Sequence, residues 1–266
     1  MPTLRQVRAI AYGALFAASL AAAPPVAEDK VRGLEIATEA DRRDQGWGDQ
    51  RAELEMVLRN RHGQESIREL NNRTLEMADD GDKLLVVFER PRDVNGTAFL
   101  TFTHKSGPDD QWLYLPALKR VKRISSSNKS GPFMGSEFSY EDLASQELGK
   151  YEYRYLRDET LEGRACFVVE RIPVDEKSGY TKQIAWYDQQ EYRVEKIEFY
   201  DRKGELLKTL KSLRYKQYLD QYWRPEEMFM ENHQTGKSTN LVWKHYEFRT
   251  GLSERDFDRN SLKRAR

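Results

Sequence analysis

The first periodic stretch of the chain has the spacing of a helix. Its apolar positions recur every three residues, at Val31, Leu34, Ala37 and Ala40. Residues at this spacing lie on one face of an α-helix. We therefore predict an amphipathic helix over residues 31–45, which ends at Gly46-Trp47-Gly48.

From residue 51 onward the hydrophobic period changes to two. Leu54, Met56 and Leu58 alternate with polar residues, a pattern typical of a β-strand with one buried face. Similar runs follow, separated by turn sequences such as Asn95-Gly96. They cover residues 66–77, 83–89, 97–104, 111–116, 120–125, 151–157, 164–172, 180–188, 192–200, 205–215, 223–231 and 238–249. The pattern predicts about a dozen strands.

Most of the connections between these runs are too short to contain a crossover helix. Neighbouring strands should therefore pair antiparallel, and so large a sheet curls or closes unless something flattens it. We predict a mainly β protein with a few short helices and one strongly curved antiparallel sheet. The long interruption, residues 125–148, is rich in Ser and Gly. Within it Ser139 and Asp142 form a capping-box pattern that predicts a short helix to about Gln146, and Ser253 and Asp256 repeat the pattern.

The N-terminus has the order of a secretory signal. Arg5 and Arg8 precede an apolar run over residues 9–20 and then small residues. A membrane anchor is the alternative, but the uncharged stretch is Ala-rich and closes on Pro24-Pro25, which makes a poor bilayer span. We predict a cleaved signal at residues 1–27 and one domain over residues 28–266, soluble and periplasmic after cleavage between Ala21 and Ala27.

Charge and cysteine content exclude several classes of protein. Lys+Arg and Asp+Glu both total 44, a balance that does not suggest a nucleic-acid partner. The single cysteine, Cys166, cannot form an internal disulfide and does not follow the signal as a lipid-modified cysteine would. It lies in an apolar strand without a neighbouring base, which favours a core role over a nucleophilic one.

No motif for catalysis, metal binding or a cofactor stands out. Gly236-Lys237-Ser238 lacks the first glycine of a phosphate-binding loop and precedes a strand, so a hairpin turn is favoured. The four histidines are not close in sequence at metal spacing. Gly135-Ser136-Glu137 lacks the strand-turn-helix setting of a nucleophile elbow. We therefore predict a protein that is not an enzyme and has neither a metal nor a cofactor.

Several strands are apolar on both faces. The runs are Leu84 to Phe88, Phe99-Leu100 with Phe102, and Trp112 to Leu115. One explanation is ordinary core packing against the helices. The other is a cavity on the concave side of a curled sheet, which would suit an acyl chain. Methionines, whose thioether side chains adapt to irregular ligands, occur at positions 56, 77, 134, 228 and 230.

The middle of the chain resembles a known family. The resemblance is carried by Phe88-Glu89-Arg90-Pro91, Asn95-Gly96-Thr97-Ala98, Gln111 to Ala117 (QWLYLPA), Arg120 to Ile124 (RVKRI) and Phe133 to Leu143 (FMGSEFSYEDL). These runs are similar to the outer-membrane lipoprotein-sorting protein family, related to the LolA and LolB lipoprotein carriers. The resemblance implies an unclosed barrel covered by helices around an apolar cavity. It also implies a non-enzymatic carrier of lipoprotein or lipid acyl chains between envelope components, with an RND-type inner-membrane transporter as partner.

Within this interpretation we assign three groups of residues. The predicted cavity lining is Leu54, Met56, Leu85, Val87, Leu100, Phe102, Phe167, Met228 and Met230. The predicted lid is Phe133 and Met134, on a glycine-flanked loop. Arg120, Lys122 and Arg123 either protect an edge strand or dock transiently on an anionic membrane or an acidic partner. The alternative function is an envelope scaffold with a filled core and no lipid ligand.

Overall fold

The structure is a computed structural model that describes residues 25–263, so most of the predicted signal lies outside it. Within these residues one α-helix, α1, covers Pro25–Arg43. It begins six residues before the start of the predicted helix and ends two residues before the predicted end at residue 45. The predicted end of the signal, residue 27, therefore lies within the first turns of α1. Glu28 lies in its first turn and Arg42 and Arg43 in its last, where both charges complement the helix dipole. No helix among the described residues is long and apolar enough to cross a membrane.

The described chain then forms thirteen strands in one antiparallel sheet. They are β1 (Asp49–Arg59), β2 (Glu65–Leu75), β3 (Lys83–Arg90), β4 (Ala98–Phe102), β5 (Asp110–Leu115), β6 (Arg120–Ile124), β7 (Tyr151–Leu161), β8 (Arg164–Pro173), β9 (Lys182–Asp188), β10 (Val194–Tyr200), β11 (Leu206–Tyr218), β12 (Tyr222–Asn232) and β13 (Lys237–Phe248). Their order is β6-β5-β4-β3-β2-β1-β13-β12-β11-β10-β9-β8-β7. The predicted meander is confirmed, and Gly236 lies in the hairpin turn before β13. The two edges, β6 and β7, do not pair, so the sheet is not closed.

The segment between β6 and β7 connects the two edges of the sheet. This crossing segment, residues 125–150, contains short 3-10 helices at Ser126–Asn128, Phe133–Gly135, Tyr140–Leu143 and Leu148–Lys150. The predicted capping box is present, since the Ser139 N–H donates to Asp142 Oδ2 at 2.7 Å. The helix that it starts ends at Leu143, earlier than predicted. The second capping box, Ser253 with Asp256, is also present.

One face of the sheet, which we call the inner face, packs against α1 and the crossing segment. Its core joins Leu113 of β5 and Val169 of β8 in one cluster with Ile36 of α1. Because strands near both edges contact the same core, the sheet must curve around it. Gly33 lets α1 approach β7 closely, since a Cβ at this position would lie 2.6 Å from the Tyr155 nitrogen.

The opposite, outer face carries two smaller clusters. The C-terminal residues 252–262 cover β3 to β5 there, with Phe257 and Leu262 fully buried against the strands. Cys166 lies in the other outer cluster, beside Trp186 of β9, and is 0% exposed. Burial raises the pKa of its thiol to about 11, so it is an inert core residue, as the sequence predicts. For β3 to β5, the apolar character of both faces is explained by packing on both sides.

Candidate ligand-binding site

The structure divides the predicted cavity lining between the two faces of the sheet. Five residues lie in or against the inner core: Leu54, Met56, Phe167, Met228 and Met230. The other four, Leu85, Val87, Leu100 and Phe102, belong to the outer cluster under the C-terminal segment. Leu85 pairs with Leu100 across the sheet, while Val86 and Phe99 point to the inner face. The prediction of a single lining is therefore corrected, because adjacent residues of one strand point to opposite faces.

The predicted lid enters the inner core. Residues 132–139 form a small loop closed by the Phe133 N–H, which donates to the Phe138 oxygen at 2.7 Å. In this plug loop Phe133 is 1% exposed, and its ring centroid lies 5.7 Å from that of Phe88 and 5.1 Å from that of Phe99. The Phe133 side chain therefore occupies part of the inner face that an acyl chain would need.

Polar contacts hold the plug loop to the three strands on the other side of the core. The Glu137 N–H donates to Thr239 Oγ1 of β13 at 2.9 Å, and Asn232 Nδ2 of β12 donates to Glu137 Oε2 at 2.7 Å. Lys208 Nζ of β11 donates to the main-chain oxygen of Glu137 at 2.8 Å. Because Phe133 packs on β3 and β4 while these partners lie on β11 to β13, the plug loop bridges the inner face from one half of the sheet to its middle strands.

A buried ion pair fixes the segment that follows the plug loop. Lys208 Nζ lies 2.7 Å from Asp142 Oδ2, and the Tyr180 hydroxyl donates to Asp142 Oδ1 at 2.8 Å. Burial, and then the charges of Asp142 and Glu141, raise the pKa of Tyr180 well above its usual value. Tyr180 therefore remains a neutral hydrogen-bond donor to the carboxylate.

An arginine holds the tip of the plug loop. Arg68 Nη1 of β2 donates a hydrogen bond to the main-chain oxygen of Met134. Met134 has φ +50° and Gly135 has φ +80°. A left-handed backbone is unfavourable for a residue with a side chain and persists only where its surroundings hold it. The Met134 backbone is therefore strained, and Arg68 is one of the contacts that keep it in place.

A cavity of about 350 Å³ lies at the gap between the two sheet edges, beside the crossing segment. Ile124, Ala144, Tyr151 and Val174 supply its apolar wall. Two lysines at its rim form ion pairs, Lys150 with Asp109 and Lys129 with Asp175 at 2.7 Å. Burial, and then the charge of Asp142, raise the pKa of Glu141 in the same wall. This cavity combines an apolar wall with a polar rim and falls in the size range of ligand pockets.

The predicted docking residues lie on an edge strand. β6 is at the end of the sheet, where Arg120 and Lys122 are exposed. Arg123 forms an ion pair with Asp110 of β5. Among residues 25–263 no ion pair is formed by Arg120 or Lys122, and no cluster of metal-ligating side chains occurs.

Sequence reasoning missed Arg68, Lys208 and Asp142 as site residues. One signal for Lys208 is present in the sequence, since it is in phase with Leu210, which lies on the inner face of β11. A lysine at the buried phase of a strand requires a partner. The partner, Asp142, could not be identified because it comes from the irregular crossing segment.

Comparison with known proteins finds solved structures that share the fold of this chain. A protein-family model described as an uncharacterized protein matches residues 80–264. The structure of an outer membrane lipoprotein-sorting protein domain from Vibrio parahaemolyticus is 59% identical, with a TM-score of 0.87, over 88% of this chain and 99% of that one. A DUF1329 family protein from Desulfovibrio piger is 29% identical, with a TM-score of 0.83, over 88% of this chain and 99% of that one. A LolA superfamily protein from Nitrosomonas europaea shares the fold at 22% identity and a TM-score of 0.68, over 86% of this chain and 98% of that one. No match was found among curated protein sequences.

Proposed function

The chain belongs to the outer-membrane lipoprotein-sorting protein family, and from this premise we propose that it is a non-enzymatic periplasmic carrier of acyl chains. The acyl chain of a lipoprotein or lipid binds against the inner face after the plug loop moves out. The carrier then passes it between envelope components, and an RND-type inner-membrane transporter is the proposed partner. Release requires no chemistry, only return of the plug loop.

The observation that carries the proposal is the position of Phe133. Its side chain is a single aromatic ring on a strained loop, inserted where the inner face is apolar. Moving it to water costs about 1.5–3 kcal/mol, whereas each acyl CH₂ that replaces it gains about 0.8 kcal/mol. A chain of more than a few carbons can therefore displace the ring. Because the ring competes for the same surface, binding remains reversible.

The inner wall contains side chains that can adapt to such a ligand. Met56 and Met230 are buried in the inner core, and Met228 packs against it. Unbranched thioether side chains change rotamer at low cost and fill irregular spaces. The wall can therefore close around the plug loop in one state and around an acyl chain in the other.

A scaffold with a filled core is the second candidate, and one observation favours it. Phe133 is 1% exposed and leaves little room beside it on the inner face. A scaffold would keep this packing permanently, whereas a carrier must exchange it. The two functions therefore differ in whether an acyl chain gains access to the inner face.

Photo-crosslinking with a diazirine-labelled long-chain fatty acid, followed by mass spectrometry of the peptides, tests the proposal. A carrier should bind the probe saturably and give crosslinks to the inner residues Met56, Met230 and Phe99, the last of which Phe133 covers in the free protein. The outer residues Leu100 and Phe257 are equally buried and serve as internal controls without crosslinks. Absence of saturable binding, or crosslinks confined to the outer cluster, would leave the scaffold as the surviving function.

A further inference from the structure

Arg171 of β8 is a buried cation on the inner face. It is 3% exposed and pairs with Tyr153 of β7 and Gln183 of β9 in the sheet register. Its guanidinium carbon lies 5.6 Å from the ring centroid of Tyr151. Arginine is seldom buried to this extent unless its charge is paired.

The hydrogen bonds of Arg171 leave most of its donors unused. Nη1 donates to Gln146 Oε1 at 3.0 Å and to the Tyr187 hydroxyl at 3.5 Å. Nε and Nη2 are buried and have no hydrogen-bond partner, and the facing Gln183 Oε1 also has none. Among residues 25–263 no carboxylate forms an ion pair with this guanidinium. Such a site is costly unless something outside the chain completes it.

The nearby carboxylates of the crossing segment already have other partners. Glu141 accepts hydrogen bonds from Ser178 and the Gly179 N–H, and Asp142 is paired with Lys208. Neither of these two carboxylates is therefore available to pair with Arg171.

The cavity at the sheet gap borders two residues that contact this guanidinium. Gln146 and Tyr151, which both contact Arg171, line the cavity. The Lys150 and Lys129 charges at its rim are neutralised by aspartates. Behind this wall Arg171 is a buried cation without an ion-pair partner, covered by the neutral Gln146 amide.

We propose that Arg171 binds the anionic group of an acyl ligand, a carboxylate or a phosphate, which enters through the cavity and replaces the Gln146 amide. A guanidinium whose Nε and Nη2 both lack partners can donate in parallel to the paired oxygens of either group. The hydrocarbon chain then continues over the aromatic inner wall beside Tyr153 and Tyr187. This inference rests on the proposed carrier function and defines its cargo as an acyl compound with a free anionic head.

Competition binding with matched ligands tests the assignment. Palmitate is compared with hexadecanol, and palmitoyl lysophosphatidic acid with monopalmitoylglycerol, so that the carboxylate and the phosphate are each measured against a neutral partner. The wild type should prefer at least one anionic ligand by about ten- to a hundredfold. Arg171→Met should abolish the preference without weakening the neutral ligands, while Arg171→Lys should retain part of it. Lys203→Met removes an exposed charge from a distant turn and should change nothing.

Thermal unfolding without ligand separates a binding role from a structural one. If Arg171 awaits a ligand, Arg171→Met should unfold at the same temperature as the wild type or higher, because an unpaired buried charge is removed. A strongly destabilised Arg171→Met would overturn the inference, as would equal wild-type affinity for anionic and neutral ligands. If no acyl ligand binds at all, the carrier function and the anion site are both rejected. If the acid and the alcohol bind equally well, only the anion site is rejected.

Discussion

Lys208 of β11 and Asp142 of the crossing segment form an ion pair in which both side chains are less than a tenth exposed, at 4% and 7%. Asp142 also accepts hydrogen bonds from the Ser139 N–H and the Tyr180 hydroxyl. The pair joins the inner face of the sheet to the segment that carries the plug loop. The pair therefore anchors the residues directly after the plug loop to the sheet.

Breaking this pair should destabilise the protein strongly. Lys208→Met or Asp142→Asn alone should lower the free energy of unfolding by about 3–5 kcal/mol, because the remaining polar group stays buried without its partner. The double variant Lys208→Met/Asp142→Asn should recover part of the loss, because no buried charge is left unpaired and the asparagine oxygen still accepts one of the two hydrogen bonds from Ser139 and Tyr180. The control is the exposed ion pair that Lys211, also on β11, forms with Glu162. Lys211→Met should cost about 0–1 kcal/mol in urea unfolding. Equal losses for Lys208→Met and Lys211→Met would contradict the role of the buried pair.

Removing the Phe133 ring should weaken folding and strengthen ligand binding together. Phe133→Ala should cost about 3–5 kcal/mol of stability, as for other buried aromatic residues, while its affinity for a fluorescent fatty acid rises because the competing ring is gone. Phe257→Ala, in the outer cluster and 0% exposed, should cost a similar amount without any gain in affinity. A fall in affinity for Phe133→Ala would show that the ring supports binding instead of opposing it.

The stability of the far end of the crossing segment should depend on pH through Asp82. Burial, and then the charges of Glu147, Glu76 and Asp44, raise the pKa of Asp82 to about 7. Its N–H donates to Ser145 Oγ of the crossing segment. The pKa of Asp82 is higher in the folded protein than in the unfolded protein. The stabilisation that protonated Asp82 contributes is therefore complete below about pH 4, and it is lost as the pH rises through about 7.

Asp82→Asn should therefore have nearly wild-type stability at pH 4 and be more stable at pH 8, by roughly 2–4 kcal/mol. The exposed Asp79→Asn is the control for a general charge effect. Thermal unfolding over this pH range measures the difference. A stability difference that stays constant with pH would exclude Asp82 as the titrating group.

Arg120 and Lys122 should contribute to membrane association and not to folding. Both are exposed on the edge strand β6, and cations near an anionic surface gain about 1 kcal/mol each. Replacing both by Ser should leave the melting temperature unchanged but slow lipid transfer to anionic vesicles, most clearly at low salt. The double variant Lys203→Ser/Lys216→Ser removes two exposed charges elsewhere and should transfer lipid normally. Equal transfer rates at low salt would leave edge protection as the role of this strand.

The sequence predicts the strands and their meander because their hydrophobic period and turn residues are local signals. It also predicts both capping boxes and the buried state of Cys166. The sequence does not predict which residues of β3 and β4 point to the inner core, since neighbours such as Leu85 and Val86 are equally apolar. That choice is made by the distant Phe257 and Leu262, which cover the outer side. The contacts of Arg68, Lys208 and Arg171 likewise depend on partners brought together by the fold.

Hydrogen exchange of the plug loop with and without saturating palmitate tests the carrier function most directly. In the free protein the amides of Phe133 and Ser136 donate hydrogen bonds within the plug loop, and the Glu137 amide donates to Thr239 of β13. If an acyl chain displaces the loop, these amides should exchange faster when palmitate is bound, while the inner strands β1 and β12 become more protected. Unchanged or slower exchange of residues 133–137, in a protein that binds palmitate, would contradict displacement of the plug loop by the ligand.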